Sequence, residues 1–213
     1  MKIYIEGAGP SEAARTECQK AFAKFFESAG LKGRMPRTIA CGSRNEAFDK
    51  FKTALKIGED ALLLIDSEEP VPIDSETGKP VSPWNHVEKR DGWNRPDGAT
   101  DDQIHFMVVC MESWFIADRQ QFIRYYSTGN RRCNENAIPD HNTVELILKQ
   151  TAFHCLKIAT SPSGNAQYSK GTRSFDILAI IRPEMVAVAS YHARRLFCRL
   201  KVDQTWLDCS EFE

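Results

Sequence analysis

No stretch of the 213-residue sequence approaches the roughly 20 consecutive apolar residues that a membrane-spanning helix needs, so no membrane partner is expected. The start, Met1-Lys2-Ile3-Tyr4-Ile5-Glu6, lacks a cationic leader backed by an apolar run, and the expected location is the cytoplasm. Glycine (12) and proline (10) are too sparse for a collagen-like or low-complexity chain, while 42% hydrophobic residues suffice for a full core. The seven cysteines include no C-x-x-C pair, which argues against a zinc ribbon and a disulfide framework; they read as reduced, mostly buried, small apolar residues. The five histidines show neither H-x-x-x-H nor H-E-x-x-H spacing, so a His/Cys metal site is not expected. There is no Walker A sequence, and Gly7-Ala8-Gly9 lacks the third glycine of a dinucleotide fingerprint.

Charge is nearly balanced in sum, at −1, but not along the chain. Residues 1–58 carry a net +5, residues 59–118 a net −10, residues 119–201 a net +8 and the tail −4. An acidic middle between basic flanks suits a protein that gathers cations at one place and steers a polyanion from the sides; solvated charged faces give the same pattern.

Hydrophobic patterning alternates strand and helix in the first half. Lys2 to Ile5 reads as a strand. After it Ala14, Cys18, Ala21, Phe22, Phe25 and Ala29 recur at helical spacing up to Gly30. Thr38 to Cys41 reads as a second strand, followed by a helix bearing Phe48, Phe51, Ala54 and Leu55, with Asn45 as its expected N-cap. Ala61 to Ile65 is continuously apolar, as in a strand buried on both faces of a parallel sheet. Ile104 to Cys110 is a similar run that leads into a helix expected from Glu112 to about Tyr126. Between these two strands lies a polar, proline-punctuated insertion at about 69–103, in which Ser82-Pro83-Trp84 marks a short helix start. Later helices are expected over Val144 to Phe153, Phe175 to Ile181 and Pro183 to about Leu200. The reading is an α/β fold: a Rossmann-like, mostly parallel sheet flanked by helices over residues 1–126, with a helical C-terminal extension over 127–213 packed on it.

Acids fall where these strands end. Glu6 follows the first strand, Asp66 and Glu68 follow the third, and Glu112 follows the fourth. Ligands of open parallel sheets gather at this rim. In extended geometry Asp66 and Glu68, two apart, point the same way, toward one hard cation such as Mg²⁺. Arg44, after the second strand, is a candidate phosphate contact or simply part of a helix-start loop.

The run Ile3-Tyr4-Ile5-Glu6-Gly7, followed about sixty residues later by Leu62-Leu63-Leu64-Ile65-Asp66-Ser67-Glu68, resembles the two acidic signatures of a TOPRIM domain, a strand ending in Glu-Gly and a later strand ending in Asp-x-Asp. More narrowly, Cys41-Gly42-Ser43-Arg44-Asn45, Met111 to Asp118 and Lys170 to Phe175 resemble a stand-alone family of TOPRIM-like bacterial proteins, related to the nuclease half of overcoming-lysogenization-defect proteins and to defence nucleases encoded beside ABC-type ATPases. The resemblance implies that Glu6 acts as general base or metal ligand, that Asp66 is the principal ligand of Mg²⁺ or Mn²⁺, and that Glu68 stands where the wider superfamily has an aspartate. It also implies an outer role for Glu112 and phosphate stabilisation by Lys170 or Arg173. The expected function is a metal-dependent nuclease acting on DNA or RNA, the effector of an antiviral system with an ABC-type or SMC-like ATPase partner and a possible homo-oligomer. The alternatives are a non-catalytic interaction subunit of an ATPase complex and hydrolysis of a small phosphate ester. Topoisomerase activity is not expected, since these residues offer no large gate domains and no obvious tyrosine nucleophile.

Overall fold

The computed structural model describes residues 1–129, 131–139 and 144–212. Four parallel strands form one sheet: β1 (Lys2–Ile5), β2 (Arg37–Ala40), β3 (Ala61–Asp66) and β4 (Ile104–Met107), in the order β2-β1-β3-β4. Ile5 pairs with Leu64 on one side and Ala40 on the other, and Asp66 pairs with Met107, so all four carboxyl ends reach the same rim. The expected α/β class with a parallel sheet is what the chain adopts.

The unbroken apolar run of β3 has a direct consequence. All six of its residues are buried, and successive side chains enter different layers. Leu62 and Leu64 join Ile3, Ile5, Phe22, Phe25 and Trp114, whereas Leu63 and Ile65 join Tyr4, Phe48, Phe51 and Trp84. The first layer holds α1 (Glu12–Phe26) and α4 (Met111–Ala117); the second holds α2 (Arg44–Lys56) and α3 (Pro83–Asp91). Helix α3 lies in the insertion and begins at Pro83, as Ser82-Pro83-Trp84 signalled.

Several sequence expectations are corrected. The helix expected from Glu112 to Tyr126 breaks at Asp118, giving α4 and α5 (Arg119–Tyr126), because Asp118 turns its carboxylate to the Gln121 amide and to Arg182. The helix expected over Val144 to Phe153 starts only at Lys149 and runs to Ala159 as α6; Glu145 is drawn instead to Ser190 and His192. The helix expected from Pro183 to Leu200 divides into α8 (Pro183–Ala189) and α9 (Tyr191–Arg199), since extended Ser190 caps α9 by accepting from the Ala193 amide. Ser43, not Asn45, caps α2, its Oγ accepting from the Glu46 amide. Nor are all cysteines reduced: Cys198 and Cys209 form a disulfide where the chain doubles back after α9 and Trp206 packs on Phe197.

Beyond residue 126 the described residues are helices and loops, with α7 (Thr172–Leu178) packed against α1. Helix α9 shields the outer edge of β4, where Arg195 donates to the carbonyl of Ile104. Exposed edges invite mispairing, and this arginine satisfies one of the edge carbonyls.

Candidate metal centre

The acids of the rim stand where two strands end, β1 and β3. Glu6 follows β1, its amide donating to the Leu64 carbonyl, and Gly7 comes next at φ 94°, a left-handed conformation that suits glycine and turns the chain so that the Ala8 amide meets the Cys41 carbonyl. Asp66 closes β3. Glu68 is not an extension of that strand, which corrects the expectation that it points with Asp66 by strand alternation. It sits at φ 70° in a bend fixed by its amide to the Val109 carbonyl, by the Ser67 amide to Met107 and by His86 Nε2 to the Ser67 carbonyl. Left-handed backbone in a non-glycine residue is strained and persists where surrounding bonds impose it, as these do.

The carboxylate oxygens of Glu6, Asp66 and Glu68 nevertheless lie within 4.8 Å of one another. Asp66 Oδ1 accepts the Met111 amide at the start of α4 (3.0 Å). Its other oxygen lies 3.2 Å from Lys149 Nζ, which also bonds Glu68 Oε1 at 2.6 Å. Glu6 takes Arg44 Nη1 at 3.1 Å, and the same guanidinium bonds the Asp66 carbonyl and grips both carboxylate oxygens of Asp91. Arg90 stands 3.8 Å from Glu68 and also pairs with Asp91. Four carboxylates therefore face three cations across a largely buried cluster.

Burial pushes the Asp66 carboxyl up to about 8, with the negative charge of Glu6 adding to the rise and Lys149 opposing it. Glu6 is raised for the same reason, burial first, against the pull of Arg44. Hard oxygen donors with little else are the donor set that Mg²⁺ or Mn²⁺ prefers, and they suit Zn²⁺ or Cu²⁺ less well than nitrogen and sulfur do.

A cavity of about 170 Å³ opens beside the cluster, reached by Glu6, Asp66, Glu112, Lys149 and Lys170 over an apolar floor of Phe22 and Phe175. A model described as a domain of unknown function, DUF4276, matches residues 5–201. The chain belongs to that family. Comparison with curated proteins and with solved structures gives no match.

The structure places the remaining sequence candidates around this DUF4276 cavity in different ways. Glu112 is buried but stands apart from the three converging carboxylates; Tyr168 donates to it at 2.9 Å and Lys170 lies 3.6 Å away. Lys170 is half exposed at the cavity mouth. Arg44 is a largely buried tie between Glu6 and Asp91, stacked over Trp93, so its guanidinium is already engaged. Arg173 is turned to Ser169 Oγ and the Asn165 carbonyl. Sequence reasoning missed Lys149, Arg90, Asp91 and Tyr168. Lys149 carries no local signal: it is one of 28 basic residues, 83 positions from Asp66. Tyr168 precedes the Lys170–Phe175 stretch by two positions, which was its available clue.

Proposed function

We propose that this chain is a Mg²⁺- or Mn²⁺-dependent nuclease that hydrolyses phosphodiester bonds of DNA or RNA. The observation that carries the reading is the convergence of Glu6, Asp66 and Glu68 within 4.8 Å at the carboxyl rim of a parallel sheet, reached from two separate strand ends. These three residues would hold the metal, which supplies Lewis acidity toward an attacking water and the leaving oxygen. Glu6, whose carboxyl burial raises, would either join in holding the metal or take a proton from the attacking water. Lys170, half exposed and paired with Glu112 on the lining of the cavity, is the cation placed to meet phosphate charge. The TOPRIM-like resemblance adds an antiviral role and an ABC-type or SMC-like ATPase that restrains or delivers the activity.

The test is incubation of the purified protein with plasmid, single-stranded DNA and tRNA, each with Mg²⁺, Mn²⁺ or chelator. Cleavage is expected with metal and is expected to disappear in Asp66→Asn. Cleavage indifferent to chelator or to that substitution sinks the mechanism. One observation favours a second reading, a non-catalytic ATPase-binding subunit: Arg44 and Lys149 pair with these carboxylates and neutralise much of their charge. Co-purification with an ATPase and no Mn²⁺ binding heat would support that reading instead.

A further inference from the structure

Among the cations of the cluster, two are held in contrasting ways. Arg44 is clamped by four acceptor oxygens: both oxygens of Asp91, one oxygen of Glu6 and the Asp66 carbonyl. Removing it would break the ion pair that joins the start of α2 to the end of α3. Lys149 is a point charge on a flexible stem, and its ammonium rests between Asp66 (3.2 Å) and Glu68 (2.6 Å), two of the three groups whose oxygens converge. It enters from another layer of the fold, as the first residue of α6, next to Leu148 and Leu146, which are 59% and 73% exposed. An ammonium and a divalent ion in one set of oxygens exclude each other, by like charge and by occupied lone pairs. Lys149, unlike Arg44, is therefore able to leave without dismantling the rim, and unlike Arg90, at 3.8 Å from Glu68 alone of the three, it sits between two of the converging carboxylates.

We propose that Lys149 is the built-in counter-ion of the carboxylate cluster, holding the place that a divalent cation takes and weakening that cation's binding by competition. This rests on the metal-dependent reading above and deepens it: the free protein keeps its acids neutralised by its own lysine, and metal loading releases the first turn of α6. Linkage makes the effect reciprocal, so removing the lysine tightens the metal as the metal displaces the lysine.

The experiment is calorimetric titration of Mn²⁺ into the full chain, wild type against Lys149→Met and Lys149→Gln, at one pH and salt, with folding checked by circular dichroism. Both variants are expected to bind Mn²⁺ about tenfold more tightly, a coupling of ordinary size, and to gain more thermal stability from it. Unchanged or weaker binding in the variants, with the wild type binding, overturns the inference and leaves the nuclease reading standing. Absence of binding in all three proteins removes that reading and this inference together. A measurement on the wild type keeps the question decidable should a variant not fold: with Mn²⁺, the amides that close the first hydrogen-bonded turn of α6, beginning with Ala152 to the Leu148 carbonyl, are expected to exchange hydrogen faster, and unchanged or greater protection rules out release of Lys149.

Discussion

At the residue scale, Asp66 pits chemistry against stability. Its carboxyl is buried and pushed up to about 8, whereas in an unfolded chain it titrates near the ordinary aspartate value of about 3.9. The native state then binds this proton more tightly than the unfolded state does. Its contribution therefore declines as pH climbs from about 4 to about 8. Asp66→Asn keeps an acceptor for the Met111 amide and removes the ionisation, so in chelator its melting temperature is expected to exceed wild type by an amount that grows over this pH range. A gain of about 1 kcal/mol would appear as about 2–4 °C in a chain of this size. Thermal melts from pH 5 to 8 check it, and the same variant is expected to lose cleavage. Arg44 behaves oppositely. It is 15% exposed, facing Glu6 and Asp91 at 9% and 11%. Arg44→Ala strands two buried carboxylates and is expected to cost about 3–5 kcal/mol in urea unfolding. Arg44→Lys, keeping charge but losing the fork, is expected to fall between.

At the element scale, corners and edges are set by single side chains. Asp118 is fully buried at the α4–α5 corner and accepts the backbone amide, Nε and Nη2 of Arg182 at the start of α8. Asp118→Ala removes these charge-assisted bonds together with the cap on the Gln121 amide, and is expected to cost about 2–3 kcal/mol in urea unfolding. On β4, His105 is fully enclosed beneath α9; burial, with Arg195 adding positive charge, lowers its pKa well below the usual histidine value. A base depressed in the fold gives its stability above the unfolded pKa near 6.5, and that stability is lost as pH falls below it. Wild type is accordingly expected to lose up to about 1.4 kcal/mol per pH unit between pH 6.5 and 5 relative to His105→Gln. The difference between the two unfolding curves isolates this group from Asp66, whose slope runs the other way in the same window.

At the scale of the whole molecule, one core continues from Ile3 in β1 through Phe22, Trp114 and Tyr126 to Leu156, Tyr168, Phe197 and Val202. The candidate site is equally spread, since Lys149 and Lys170 come from beyond residue 126 while Glu6, Asp66 and Glu68 come from before it. A fragment of residues 1–126 is expected to expose Phe25, Phe115 and Phe122, to bind a hydrophobic dye and to lose cooperative melting. A sharp melt of that fragment would contradict the packing argument.

The amino-acid order determined the sheet and the identity of its acids. Continuous burial of Ala61 to Ile65 and the alternation of strand and helix are local patterns, and Glu6 and Asp66 are marked by where those strands stop. Glycine at position 7, which tolerates a left-handed turn, is likewise a local fact. Tertiary structure decided the rest. The breaks at Asp118 and Ser190 arise because side chains there bond groups 64 and 45 positions away, competition that no helical period reports. The bend at Glu68 depends on the Val109 carbonyl and on His86, and Lys149 reaches Asp66 across 83 residues of chain. Strand ends are written in near-neighbour preferences. Charge neutralisation is not, because Coulomb attraction acts through space, and distance in space is settled only after the chain has packed.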